Sequence, residues 1–554
     1  MNENKRFIIF LPIIIAISIV IGIIVGNRFS GKKYISDNDR KLNTILNMVS
    51  DGYVDTVDVN EIIEQTIPQL LSNLDPHTVY IPAKDLTSVN NELDGSFSGI
   101  GVSFFIMNDT VRIVEVLSGG PSEKAGLIAG DKIVSVNDTA FTGTNITNQE
   151  VFNRLRGKKG SSIKLGIKRN TSDKILTYDL IRGDIPVNSI DAAYMVDKKT
   201  GYIKINKFAR TTYDEFLQAL VKLKQEGAEQ YILDLRGNGG GFMEMAILMA
   251  NEFLPENSLI VYTQGREKKN NQQFWSDGNG SFQEVQLAIL LDEFSASASE
   301  ILAGAIQDND RGLIVGRRSF GKGLVQRQFE LVDSSAIRMT VSRYYTPSGR
   351  CIQKDYKKGG DAYNHDIYDR IISGELSNKD SIKVDTTNVF KTVHHRTVYG
   401  GGGIIPDIFV PSDTSGITSY YISVSNAGLL QKYAYSYAEI NREDFSKLDD
   451  YKQFLKILPG NNTLLYDFVS FAADNGVPAR WYYINISKDL IINQLKALIA
   501  RDIFGTDAFY PIYNKNDKMI NQAVKAFEEN KASFPIIDDK NESHENNINK
   551  TGKR

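Results

Sequence analysis

"VQLAILLDEFSASASEILAGAIQDN", residues 285–309, decides the fold. Its opening run is almost continuously apolar, which reads as a strand buried on both faces. Serines then alternate with alanines at Ser295, Ser297 and Ser299, and an apolar helix follows. Strand, small-residue turn and helix make the βα unit of an α/β layer, whose sites gather at strand ends. Ser297-Ala298-Ser299-Glu300 fits a capping box, serine first and glutamate three residues on. The same alternation leaves a hydroxyl with almost no bulk around it, which suits a group that must be approached closely. Taken alone, these residues favour the cap.

Working outward, the unit recurs. "GYIKINKF" (201–208) reads as a strand, "TYDEFLQALVKLKQEG" (212–227) as a helix capped by Gly227, and "QYILDLRGNGGG" (230–241) as a buried strand ending in glycines. "FMEMAILMANEFL" (242–254) is a helix and "GLIVG" (312–316) a strand, followed by "RSFGKGLVQ" (318–326) with Lys322 between glycines. Residues 183–412 are therefore expected to form a layered α/β core. The glycines could present bare N–H groups or simply make a tight connection. Lys322 could be a base or a turn lysine in water. Together the three loops offer a hydroxyl, an amine and an anion-binding backbone, the components of acyl transfer.

Residues 95–182 have short alternating strands, many glycines and hairpin-like turns. "GSFSGIGVSF" is a Gly-rich loop feeding a strand. "VRIVEVL" follows as a strand, "SEKAG" as a helical turn, "AGDKIVSVND" as turn, strand and turn, and "TNQEVFNRLRG" as an amphipathic helix. This order resembles a PDZ domain, and Gly99, Ile100, Gly101 and Val102 sit where that family holds a peptide's terminal carboxylate. Successive N–H groups in such a loop form an anion nest, and the next strand's edge accepts an extended peptide. Before this segment, 31–94 reads as a helical region, with Pro68 a warning against one uninterrupted helix and "LDPHTVYIP" (74–82) as turn and extended chain. After the core, 413–538 reads as a helical extension with Ile491, Leu495 and Leu498 on one face, and 539–554 as a polar disordered tail.

A chain of 554 residues is too long for one core. Its 42% hydrophobic and 24% charged residues are those of a folded protein, and a net charge of −3 gives no basic field for nucleic acid. The single Cys351 excludes an internal disulfide, and five histidines without an HExxH pair argue against a zinc hydrolase. No metal and no cofactor is expected. Residues 1–30 read as an uncleaved signal anchor, with a cleaved signal peptide as the alternative, because the apolar run 7–25 after Lys5 and Arg6 would make a helix roughly 28 Å long, enough to cross a bilayer core.

The serine, lysine and glycine loops match, in order, those of the carboxyl-terminal processing peptidases, tail-specific serine proteases with a Ser–Lys dyad and a PDZ domain. The resemblance runs from "LDPHTVY" through the PDZ-like segment to "YYTPSGRCIQ" and "GGGIIPDI" near 408. It implies crotonase- or ClpP-like layers, with Ser297 as nucleophile, Lys322 as general base and Gln326 positioning the lysine. It also implies an oxyanion hole from the N–H groups of Ala298 and of a loop glycine, taken as Gly240. Glu300 reads either as cap or as orienting group, and Ser295 and Ser299 as structural. Phe294, Gly237, Gly239 and Cys351 depart from the family pattern without removing a catalytic group. Ser161-x-x-Lys164 fits a penicillin-binding pattern but lies on a PDZ-like strand in a polar context.

An ordinary lysine has a pKa near ~10.4. Serving as a base near neutrality requires about 4 kcal/mol of differential destabilisation of its charged form, which desolvation can provide. Lys322 is therefore expected to be buried, with no carboxylate paired closely to it. The resemblance implies a serine endopeptidase that cleaves unstructured polypeptides after its PDZ domain reads their free C-terminus. Arg156, ending the groove helix, is expected to report peptide binding towards Gln326 and Lys322; a solvated arginine favourable to the helix dipole explains it equally. Expected partners are polypeptides with a free C-terminus and the membrane, with a homodimer and an adaptor protein as further candidates. The expected location is a bacterial inner membrane, with the catalytic part in the periplasm. Two other readings stay open: a membrane-tethered PDZ scaffold whose protease fold has lost activity, and a small-molecule serine esterase or amidase.

Overall fold

The computed structural model describes residues 37–535 apart from Asn108, Ser118, Thr144, Asn145, Asn170, Thr171, Asp173, Ser446 and Phe534. The expected anchor at 7–25 and tail at 539–554 lie outside the described residues. Among the described residues no helix is long and apolar enough to cross a membrane. The chain divides after Asn73 into two compact units. In the first, α1 (Asp37–Gly52) is followed by α2 (Val59–Ser72). Asp58 starts α2 by accepting the N–H groups of Asn60 (2.8 Å) and Glu61 (3.3 Å). That helix runs through Pro68, so the interruption falls at 53–58 instead.

The second unit opens with β1 (Val79–Ile81), α3 (Ala83–Asp94) and β2 (Ser96–Gly99). A sheet follows, built from β3 (Val102–Met107), β4 (Thr110–Val116), β5 (Lys132–Val136), β6 (Thr139–Ala140), β7 (Ser162–Lys168) and β8 (Ile175–Ile181), with α4 (Pro121–Ala125) and α5 (Asn148–Leu155). Its order is β3-β4-β5-β7-β8, so β3 is an edge strand. Val151 and Leu155, one helical turn apart, bury α5 against Val111, Ile133 and Leu165. The expected Gly-rich loop is shorter than the sequence suggests, because 96–99 pair antiparallel with β9 (Gly183–Pro186).

The core then runs β10 (Ile190–Met195), β11 (Thr200–Ile205), α6 (Thr212–Gln225), β12 (Gln230–Asp234), α7 (Met243–Asn251), β13 (Leu259–Gly265), β14 (Gln272–Trp275), β15 (Gln286–Leu291), α8 (Ala298–Asp308) and β16 (Leu313–Gly316). It continues with β17 (Leu324–Glu330), β18 (Ala336–Tyr345), α9 (Gly360–Ile372), β19 (Val389–Lys391), β20 (Thr397–Tyr399) and β21 (Ile408–Phe409). One sheet has the order β10-β11-β12-β15-β16-β21, parallel from β11 onward. The apolar run of β15 now has its reason. Leu287, Ile289 and Leu291 face the cluster containing α6, α7 and α8, while Ala288 and Leu290 face the other way. A second sheet centres on β18, with β17 along one edge and β1 and β13 on the other.

The extension holds α10 (Ser419–Asn426), α11 (Leu429–Ile440), α12 (Arg442–Phe445), α13 (Tyr451–Ile457), α14 (Asn461–Asp474), α15 (Trp481–Phe504), α16 (Thr506–Tyr513) and α17 (Lys518–Glu528). Ile491, Leu495 and Leu498 enter its own core with Leu430, Phe454 and Phe468. Helix α17 lays Met519, Ile520, Ala523 and Phe527 against Tyr202, Ile232, Leu290 and Val315, covering the second face of the main sheet. The extension is thus partly a layer of the core.

Candidate active site

Ser297 sits between β15 and α8 with φ 56 and ψ −113. A positive φ at a residue carrying a Cβ costs about 1–3 kcal/mol and survives only where the surroundings enforce it. The outer serines help to do so. Ser295 Oγ donates to the Leu235 carbonyl (2.9 Å), and Ser299 Oγ donates to the Asn238 carbonyl (2.9 Å). Ala296 N–H adds a third tie, again to the Asn238 carbonyl (3.0 Å). The alternation seen in the sequence therefore pins the turn to the glycine loop on both sides of Ser297. Gly240 lies so close that an added Cβ would come within 2.7 Å of Ser297 Cβ and 2.9 Å of Ala298 N.

Glu300 is fully buried. Its Oε2 accepts the N–H groups of Ser297 (2.9 Å) and Lys322 (2.8 Å); its Oε1 accepts the Gly321 N–H (2.7 Å) and the Ser319 hydroxyl (2.6 Å). Both readings of this residue are realised: it caps α8, and it fixes the serine loop to the lysine loop. Burial pushes its carboxyl pKa up, and these four donors oppose the rise. Tyr344, also buried, adds a second bridge. Its hydroxyl donates to the Lys322 carbonyl (2.7 Å) and stands 3.2 Å from the Ser297 carbonyl.

Lys322 is half-buried, and Nζ donates to Gln326 Oε1 (3.0 Å). Among the described residues that is its one side-chain hydrogen bond, so none joins Nζ to Ser297 Oγ and no carboxylate pairs with it. Desolvation lowers its pKa, and the Arg338 guanidinium adds to the lowering, while Glu300 and Asp75 pull weakly the other way. Gln326 in turn donates its amide to the His77 carbonyl. That ties the segment 74–80 to the lysine, a role the motif "LDPHTVY" hinted at by its place in the resemblance alone. The His77 ring turns to the Tyr363 hydroxyl (2.8 Å), and burial followed by the nearby Lys322 charge lowers its pKa to about 4.

Ser297, Lys322, Gln326 and Gly240 line one cavity of about 850 Å³. Helix α3 roofs part of it, with Gln328 donating to Asn90 (3.0 Å) and Arg210 to Asp94 (2.7 Å). Ala298 N–H, at the first turn of α8, has no hydrogen-bond partner among the described residues. The Gly240 N–H, by contrast, donates to Asn238 Oδ1 (2.8 Å). The expected pair of oxyanion donors is therefore half-engaged, because the Asn side chain folds back two residues on. Among the described residues no cluster suited to a metal ion occurs.

In the PDZ-like sheet, the carbonyls of Ile100 and Gly101 accept from Ser122 (2.9 Å) and Leu117 (3.0 Å), while their own N–H groups bond to nothing among the described residues. Gly101 has φ +79, which leaves Val102 to begin the β3 edge. Arg156 does not reach Gln326 or Lys322. It ends α5 with its guanidinium over the rings of Phe97 (4.6 Å) and Phe152 (4.4 Å). Ser161 and Lys164 also stay apart in function, Ser161 bonding to the Lys158 carbonyl (2.6 Å) and Lys164 pairing with Asp138 (2.8 Å).

Comparison with known proteins agrees with this architecture. Peptidase family S41 matches residues 199–359, a PDZ domain 98–180, and a family of unknown function 420–505. A carboxy-terminal-processing protease of Bartonella bacilliformis is 34% identical over 314 residues, covering 56% of this chain and 71% of that protein. The carboxy-terminal processing protease CtpB of Bacillus subtilis is 32% identical over 362 residues, covering 64% and 74%. A solved photosystem II D1 C-terminal processing protease aligns at 24% identity and a TM-score of 0.34 over 68% of this chain and 94% of its own. On the strength of the relatives in sequence, the chain belongs to peptidase family S41 and is a carboxy-terminal processing serine protease carrying a PDZ domain.

Proposed function

We propose that Ser297 is the nucleophile and Lys322 its general base, acting on polypeptides whose free C-terminus is held at Gly99–Val102. The supporting observation is an unpaired, desolvated amine sharing a cavity with a serine held at positive φ, both loops being tied by Glu300. Neutral Nζ would leave Gln326, take the Ser297 Oγ proton as oxygen attacks the scissile carbonyl, and pass it to the departing amine. Water then attacks the acyl carbon, Lys322 takes its proton and returns it to Ser297 Oγ as the ester bond breaks, and the new C-terminus leaves. The oxyanion would rest on the Ala298 N–H, and on the Gly240 N–H once that group leaves Asn238 Oδ1. Helix α3 connects the cavity roof directly to β2 and the carboxylate loop, which supports delivery of a tail-bound chain into the cavity.

Arg156 enters this reading as the PDZ residue that responds to the tail by leaving Phe97 and Phe152. Arg156→Ala with unchanged basal and tail-stimulated cleavage rejects that part. The apolar run at 7–25 supports an anchor, and the family likeness, not the charges flanking that run, supports a catalytic part outside the cytoplasm. The whole reading is tested by incubating the purified chain with an unstructured protein bearing a free or an amidated C-terminus, beside Ser297→Ala and Lys322→Ala. Cleavage should require both side chains and favour the free tail. Cleavage that survives either substitution overturns the dyad, and equal cleavage of both tails overturns the tail site.

A further inference from the structure

The helical extension touches the PDZ domain on the very strand whose edge would take a substrate tail. Phe105 of β3 and Arg112 of β4 are cross-strand partners, on the face opposite Val111 and Ile113, which enter the PDZ core. The Phe105 ring meets the Tyr435 ring of α11 edge-on, with centroids 4.3 Å apart and planes at 77°. Tyr435 keeps only 2% of its surface exposed. A second contact lies at the PDZ turn "AGDK": a Cβ added to Gly130 would stand 3.0 and 3.1 Å from the two carboxylate oxygens of Glu439. An open PDZ face is thus covered by a helix from a region of unassigned role.

The joint is not a permanent one by its chemistry. Arg112 Nε, Tyr435 Oη, Arg442 Nη2 and Asp502 Oδ2 are buried here or beside it without a hydrogen-bond partner among the described residues. Charged groups of both parts surround Tyr435, Arg112 from the PDZ domain and Glu439, Arg442 and Asp502 from the extension. Ring contact holds the two parts together while this polar lining eases separation, which is the balance a releasable interface needs. The other end of the extension grips the catalytic layer. Tyr510 donates to Asp191 (2.9 Å), and Arg236, in the glycine loop, donates to Asp517 at the start of α17 (2.6 Å). Between these ends the helices share one hydrophobic core.

We infer that the C-terminal helical region is a clasp for the PDZ domain, holding the face of β3 in a resting pose that opens when a tail adds to the edge of that strand. The coupling to cleavage rests on the tail reading above; the clasp itself does not. Release of the clasp frees the PDZ domain and the α3 roof that continues into β2, so the cavity admits chains without a tail.

Three measurements on the full chain test this. Tyr435→Ala should speed amide hydrogen exchange across β3 and β4 and raise cleavage of the tail-amidated protein about five- to tenfold, narrowing the free-to-amidated ratio. Tyr435→Phe keeps the ring and removes a buried hydroxyl that has no hydrogen-bond partner among the described residues, so it should slow exchange and widen the ratio. Phe105→Ala should mimic Tyr435→Ala, and the double substitution should add little to either, as expected for residues in contact. Additive effects, unchanged exchange, or faster exchange with an unchanged ratio would overturn the inference. Should Tyr435→Ala fail to fold, the direction of the Tyr435→Phe response decides. Absence of any tail preference in the unaltered chain would reject the tail reading instead, and exchange with the double-substitution cycle would still judge the clasp.

Discussion

Replacing Glu300 by Gln removes one negative charge and almost no volume, and it strikes the two loops at once. The carboxylate accepts four donors, two on each oxygen. A glutamine can accept two of them, and its amide turns N–H groups towards the other two. Two buried donors left unsatisfied cost roughly 2–6 kcal/mol in all. If about half of that is felt where Ser297 and Lys322 must align, kcat/KM falls roughly tenfold to a hundredfold. A second effect separates this from simple loosening. The Glu300 charge raises the Lys322 pKa, so its removal lowers that pKa further. Activity that needs neutral lysine rises as pH climbs through the lysine pKa; in Glu300→Gln the acid limb should therefore move to lower pH while the plateau drops. Rates on an unstructured protein between about pH 5 and 10, with thermal unfolding of the same samples, read both effects. A plateau within about threefold of the unaltered enzyme, or an acid limb displaced upward, would refute the reasoning.

Three further outcomes follow from the same geometry. Lys322→Met should abolish cleavage yet raise the melting temperature near neutral pH, because a buried amine with a lowered pKa costs stability wherever the unfolded chain keeps it charged; the gain should fade as pH rises towards about 10.4, and a gain that grows with pH would contradict it. Gly240→Ala meets Ser297 Cβ at 2.7 Å with φ at +100, so activity should fall at least a hundredfold, with stability reduced by about 1–3 kcal/mol in a denaturant titration. Ser299→Ala loses one bond to a loop carbonyl and should cost about 1 kcal/mol, whereas Ser295→Ala also leaves the Asp292 N–H without its acceptor and should cost about 1–3 kcal/mol; both should leave kcat within about tenfold, in contrast to Ser297→Ala.

Much of this site is legible in the sequence because its loops follow strands whose apolar runs announce themselves. Ser297, Lys322 and the glycines stand at strand ends, where local pattern marks the loops; their roles come from the family resemblance, since the residues alone fit a cap and two turns equally. What pattern misses is held by long-range contact. Tyr344 lies 22 residues beyond Lys322 by its hydrogen bond and looks like any strand tyrosine, while His77 offers Gln326 a backbone carbonyl, a group every residue has. Asn238 was legible as a loop residue, but nothing local says its side chain would occupy the Gly240 N–H. The hairpin β13–β14 and the β17–β18 arm also escape, since their mixed polar faces match neither a buried strand nor a helix. The docking of α17 on the core escapes for a related reason: it has the pattern of an ordinary amphipathic helix, and its partner is a sheet whose last strand lies about a hundred residues earlier.

That last helix has a bearing on how the enzyme is made. A ribosome releases the serine, lysine and glycine loops long before it reaches Met519, and until then Ile232 and Leu290 face water. Arg236, beside the glycines, likewise waits for Asp517. The order of synthesis thus leaves one face of the catalytic sheet open until α17, the last of the described helices, is made.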